Sequence, residues 1–225
     1  MSIQESFHCI DAIKLNIARI NHLKTLNLNF DNKNILETGC GGRGDITKFL
    51  LEKNSNVTLN DYRIENINYL KSHIFVNLPY NTWDLNSEEL PSDKIFDIIL
   101  CYGTLYHLEK PFNAIKCLSS LCKEYIIIST CTSGRNDPGL NLVYEGDSPT
   151  QSYTSYGCRP GRLFVYEELK KNFKYVYMLK TQPDHEDYPL CFPSSNHASR
   201  NIFIGSHIIL DNELFIDYIP YTYTL

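Results

Sequence analysis

From residue 5 to 28 apolar side chains recur every three or four positions (Phe7, Ile10, Ile13, Ile17, Ile20, Leu23), which predicts an amphipathic helix. The polar run 31–34 is a turn, and a short apolar strand follows at 34–38. Ile46, Phe49 and Leu50 then set a helix period that ends at Lys53, before Asn54-Ser55. A strand is expected over Val57–Asn60, a helix over Ile64–Ser72, and a strand over His73–Asn77. Ile95–Cys101 is a near-continuous apolar run, the pattern of a central strand covered on both faces. Pro111 opens a helix ending near Lys123, and Tyr125–Thr130 is a fifth strand. Beyond it, 165–173 reads as a helix, and 174–179 and 201–209 as strands.

Strand and helix alternate with short connections up to residue 130, which specifies a parallel sheet with helices on both faces. The expected fold is α/β, a Rossmann-like three-layer sandwich with a mostly parallel seven-stranded sheet. At 225 residues, one domain spanning 1–225 is expected. Residues 131–163 lose the period and fill with Gly, Pro, Ser, Asn and Tyr, so a substrate-binding insert is expected there. The stretch 181–199 reads as another polar loop. The tail, Leu214–Leu225, alternates around Tyr218, Tyr221 and Tyr223, which suits an edge strand, a lid or a homodimer contact.

Charge narrows the partners. The net charge is −5 and no run of Lys or Arg forms a phosphate-tracking stripe, so a long nucleic acid is a poor partner. No apolar stretch is long enough to span a bilayer. The eight cysteines lie partly within apolar strands, form no CxxC pair and follow no signal peptide. A reducing, cytoplasmic compartment is expected, with no zinc site.

The chemistry concentrates at Asn34–Asp45. Gly39, Gly41, Gly42 and Gly44 lie between a strand and a helix. Such a corner lets the backbone turn sharply and approach a ligand closely. Alone it suits NAD, FAD or S-adenosyl-L-methionine (SAM) equally. Glu37 sharpens the reading, because an acid before the first glycine faces a cationic group such as the amino group of a methionine moiety. Asp61, closing the second strand, can accept both ribose hydroxyls of an adenosine cofactor. Trp83-Asp84 supplies a ring and an acid for an adenine edge.

These residues resemble the class I SAM-dependent methyltransferases. The matching pieces are Glu37-Thr38-Gly39-Cys40-Gly41, Asp61, Asp84, and Phe96–Gly103 with Leu105-Tyr106-His107-Leu108, covering roughly 30–130. The resemblance implies SAM as cofactor. It implies that Glu37, Gly39, Cys40 and Gly41 hold the methionine part, Asp61 and Tyr62 the ribose side, Trp83 and Asp84 the adenine, and Cys101 or Tyr102 the sulfonium side. Arg43 departs from the pattern and receives no role. Metal-dependent relatives place acids where this chain has Cys101-Tyr102, so no catalytic metal is expected.

More weakly, Tyr156–Pro160, Gln182–Pro189 and Arg200 resemble small sugar O-methyltransferases of glycan biosynthesis. The implied substrate is a small molecule, a sugar or nucleotide-sugar. A sugar hydroxyl is a weak nucleophile near neutral pH and gains from a base within hydrogen-bond reach. His185, flanked by acids in the late loop, is favoured for that role, with His107 shaping the pocket. Arg159, Arg162 and Arg200, with Tyr106, are expected to hold the substrate, arginine's planar fork suiting phosphate. Another N- or O-methylated small molecule, or a non-catalytic SAM-binding module, are the alternatives.

Overall fold

The computed structural model describes residues 2–73, 77–89, 93–146, 148–195 and 199–225. The parallel part of the sheet is built from β1 (Asn34–Thr38), β2 (Asn56–Asn60), β3 (Tyr80–Asn81), β4 (Phe96–Tyr102) and β5 (Cys122–Cys131). A separate hairpin pairs β6 (Leu142–Tyr144) with β7 (Tyr156–Cys158). β8 (Tyr175–Leu179), β9 (Arg200–Ser206) and β10 (Phe215–Ile216) complete the main sheet, whose order is β10-β8-β9-β5-β4-β1-β2-β3. β9 runs antiparallel to both β5 and β8. The sheet is mostly parallel and has eight strands, one more than the sequence pattern gives. The extra one, β10, is two residues long and adds the start of the tail to the β8 edge, the edge-strand alternative for Leu214–Leu225.

The α/β, Rossmann-like three-layer expectation holds. Alternate residues of each strand feed opposite faces: Ile35, Leu59, Ile98 and Leu100 join one core, Leu36, Ile99 and Cys101 the other. The first core is covered by α3 (Asp45–Glu52) and α4 (Ile64–His73), the second by α5 (Pro111–Ser120) and α6 (Arg162–Asn172).

Two elements depart from the sequence pattern. The N-terminal helix is two: α1 (Ile3–Phe7), held by a Ser2/Glu5 capping box, and α2 (Ile10–Thr25). The break lets Phe7 fold onto the glycine corner, where a Cβ added at Gly41 would lie 2.6 Å from its ring. The expected strand at 73–77 is not a strand at its start, because His73 ends α4; residues 74–76 lie outside the described residues, and the pairing strand is β3. The buried side of α2 carries Ala18, Arg19, His22 and Leu23, while Ile10 and Ile17 of the apolar period are exposed. Among the described residues no helix is long and apolar enough to cross a membrane.

Candidate functional site

The glycine corner is pinned from three sides. The amides of Gly39 and Cys40 both donate to the Asn60 carbonyl at the end of β2, at 2.7 and 3.2 Å. Gly39 and Gly41 hold φ of +63° and +61°, a region costly for any residue with a Cβ. Thr104, whose hydroxyl donates to the Thr38 carbonyl at 2.9 Å, packs so tightly on Gly39 that an added Cβ would overlap it. This corner lies at the carboxyl edge of β1, β2 and β4, where open α/β sheets bind ligands.

Two adjoining compartments open there, with cavity volumes of about 130 and about 300 Å3. They share Phe7, Gly39, Gly41, Gly103, His107, Thr150 and Gln151. The first is lined by Asp61, Tyr62, Asn66, Trp83, Asp84 and Leu85. The second is lined by Arg19, Glu37, Cys40, Tyr102, Tyr106 and Arg200. The insert supplies a roof. Arg63 donates to the carbonyls of Ser148 and Ser152 at 3.3 and 3.2 Å and lies over the Tyr153 ring, which in turn meets Tyr62 edge-on.

In the first compartment Asp61 accepts from the amides of Gly41 and Arg63, both at 2.9 Å, and from Asn66 Nδ2 at 3.2 Å. A carboxylate has about four acceptor sites, so one direction stays open. Asn66 Oδ1 beside it is buried without a partner. Together they offer two acceptors for two neighbouring hydroxyl donors, as a ribose presents. Asp84 spends Oδ1 on the Asn86 amide at 2.9 Å. Trp83 lines the compartment but belongs mainly to the core.

In the second compartment Glu37 is buried and accepts from the Thr47 hydroxyl at 2.7 Å. Burial, with Asp45 and Asp61 nearby, raises its pKa from 4.5 to about 7. A buried carboxylate without a cation is matched by a ligand that brings one. His107 stands between the compartments. Its Nδ1 lies 2.5 Å from Glu145 Oε2, and Glu145 is further held by the Ser152 amide and by Arg159 Nη1 at 2.8 Å. Burial holds the His107 pKa below its ordinary value, with Arg200 and Arg159 pushing the same way and Glu145 opposing. Its Nε2 makes no hydrogen bond among the described residues.

Four expected site residues sit elsewhere. His185 lines neither compartment but a groove between α2 and the chain end, beside Ile17 and Leu225. Its Nδ1 accepts from the Asp187 amide, while the Asp187 carboxylate pairs with Arg200 instead. Arg162 is fully buried under the tail, donating to the Pro220 carbonyl and the Tyr223 hydroxyl and stacking on Phe192. Arg159 stands behind Glu145, over the Tyr106 ring. Cys101 is wholly enclosed in the core. Missed from sequence were Arg19, hidden within a helical period, and Glu145, an isolated acid in the insert that carries no motif.

A methyltransferase domain family model matches residues 12–174. The chain belongs to that family. It is a SAM-dependent methyltransferase. No curated protein matches the sequence. Among solved structures it is similar to the N-terminal domain of EvdMO1 crystallised in the presence of SAH and D-fucose, with 18% identity and a TM-score of 0.63; 85% of this chain and 82% of that one are covered. It is also similar to magnesium protoporphyrin IX methyltransferase from Synechocystis PCC 6803 with bound SAM, with 12% identity, a TM-score of 0.57, and coverage of 88% and 84%. A SAM-dependent methyltransferase from Mesorhizobium loti gives 14% identity, a TM-score of 0.57, and coverage of 84% and 96%. At these identities the likeness is one of fold.

Proposed function

We propose that the methyltransferase acts on a hydroxyl of a sugar or nucleotide-linked sugar used in glycan biosynthesis, with His107 as the base. The carrying observation is the His107–Glu145 pair at the junction of the two compartments. Asp61 and Asn66 would hold the ribose, and Glu37 the methionine ammonium. Bound there, SAM supplies an electrophilic methyl carbon whose bond to sulfur breaks, the electron pair leaving on sulfur as the acceptor oxygen attacks. Glu145 keeps the proton of the neutral imidazole on Nδ1, so the Nε2 lone pair can take the acceptor's proton. The lowered His107 pKa keeps that lone pair available at neutral pH. His185 lines neither compartment, and we assign the base role to His107 instead.

An amine acceptor would need no such oriented base, which favours oxygen over nitrogen. The D-fucose present with one relative of the same fold, and the Tyr- and Arg-lined second compartment, support a sugar. All eight cysteines are free thiols, which suits a reducing compartment such as the cytoplasm.

The test is turnover of labelled SAM against a panel of sugars and nucleotide-sugars, run for the wild type and for His107→Asn. Removing a general base should lower kcat by about 10²–10⁴-fold while SAH binds as before. At saturating SAM the acid limb of the wild-type kcat profile should have its midpoint below 6.5. An undiminished kcat in His107→Asn would reject the base assignment, and turnover of amines in preference to every sugar would reject the acceptor.

A further inference from the structure

The second compartment contains two arginines whose hydrogen-bonding capacity is unspent. Arg19, from α2, and Arg200, from the start of β9, are 6% and 8% exposed. Arg19 donates from Nε to the Tyr188 hydroxyl at 3.1 Å and from Nη1 to Asn16 Oδ1 at 3.4 Å, and its Nη2 is buried with no partner. Arg200 donates from Nε to Asp187 at 3.0 Å and from Nη2 to the Tyr106 hydroxyl at 3.2 Å, and its Nη1 is likewise buried and unpartnered. The Tyr102 hydroxyl in the same compartment has no partner either.

The local charges do not cancel. Asp187 balances Arg200, Glu145 balances Arg159, and Asp45 balances Arg43. Arg19 has no ion-pair partner among the described residues. Glu37, the remaining acid of the compartment, spends an oxygen on Thr47 and faces the cationic end of the cofactor. Burying a guanidinium without an anion is costly, and the cost is recovered when an anion arrives. Planar forks with free N–H groups match carboxylate and phosphate oxygens. The methionine carboxylate of the cofactor is a single anion and does not by itself spend the free N–H groups of both forks and the Tyr102 hydroxyl.

We propose that the acceptor carries a carboxylate or phosphate on the methylated sugar itself, held by Arg200 and Arg19 with the Tyr102 hydroxyl. This rests on the methyltransferase reading above and names the acceptor's charge. Arg200 bonds to Tyr106, whose ring lies 3.9 Å from that of His107, tilted by 43°. An anion on Arg200 therefore lies one side chain from the base, close to the reacting hydroxyl and not out on a distant nucleotide.

The experiment follows the His107 ring resonances of the full chain, with and without saturating SAH, while inorganic phosphate or acetate is titrated at constant ionic strength in chloride. The SAH-loaded protein should bind one of them saturably, with a half-point of about 1 mM. The bound anion should raise the His107 pKa by neutralising the arginine field. Preference for phosphate assigns a phosphorylated acceptor, and preference for acetate a sugar acid. Arg200→Gln and Arg19→Gln should each weaken the anion by about tenfold or more. Because Arg200→Gln strands Asp187 and can disturb folding, Arg200→Lys serves beside it and should recover part of the affinity. Three results overturn the inference: no saturable shift beyond that of chloride, wild-type anion affinity in the Gln variants, or anion binding that SAH abolishes, which gives the site to the cofactor's carboxylate. Failure of SAH itself to bind would instead remove the cofactor reading on which the inference stands.

Discussion

Glu37 places ligand binding and stability in opposition. Its carboxyl titrates at about 7 in the folded chain against 4.5 in water. Between those values the folded state holds a proton that the unfolded state has released, so stability falls as pH rises from 4.5 to 7. Above that window the penalty reaches about 3 kcal/mol. Glu37→Gln removes it, and at pH 8 the cofactor-free variant should melt about 5 °C or more above the wild type. The same substitution removes the anion proposed to face the methionine ammonium, so calorimetry should show at least a tenfold loss of SAM affinity, about 1.4 kcal/mol. In the wild type, SAM should bind about tenfold tighter at pH 8 than at pH 6, because Glu37 is mostly protonated at the lower value. A pH-independent Kd would mean that Glu37 does not face the ammonium.

The cofactor cleft is closed by elements with few other anchors. The hairpin β6–β7 and the loop between its strands form a small sheet apart from the main one, so its position depends on side-chain contacts. Arg63 provides one contact through the carbonyls of Ser148 and Ser152, and Glu145 another through His107 and Arg159. Arg63→Ala should loosen the roof, raising hydrogen exchange over 148–155 and raising KM for SAM several-fold, with kcat changed much less. A variant with wild-type exchange in that segment would show that the roof holds without Arg63. The sequence marks this insert by its composition, but composition does not say which acid in it reaches His107. Sequence period likewise places the helix that α2 occupies. It does not show the helix turning Arg19 inward, because α2 sets Leu23 into the apolar core while Arg19, on the same buried side, faces the polar ligand edge of the sheet.

Across the whole molecule, the C-terminal segment is tied back through one cation. Arg162 opens α6, and its Nη2 reaches both the Pro220 carbonyl and the Tyr223 hydroxyl, while Tyr223 donates to Asn201 on β9. Arg162→Ala leaves a cavity and two unpaired acceptors, and should cost about 3 kcal/mol, or about 8 °C in Tm for a chain of this size. At temperatures where the variant is folded, SAH should bind as in the wild type. A selective loss of acceptor binding with unchanged Tm would return Arg162 to the substrate site. The strand–helix alternation, the glycine corner with Glu37 and Asp61, and the family were legible in the sequence, because each follows from local period or from spacing within one strand–turn–helix unit. Which histidine meets the cleft, which arginines line it, and which acid bonds that histidine were decided only by tertiary structure. Those side chains come from α2, the insert and β9, separated along the chain and brought together by the order of strands in the sheet.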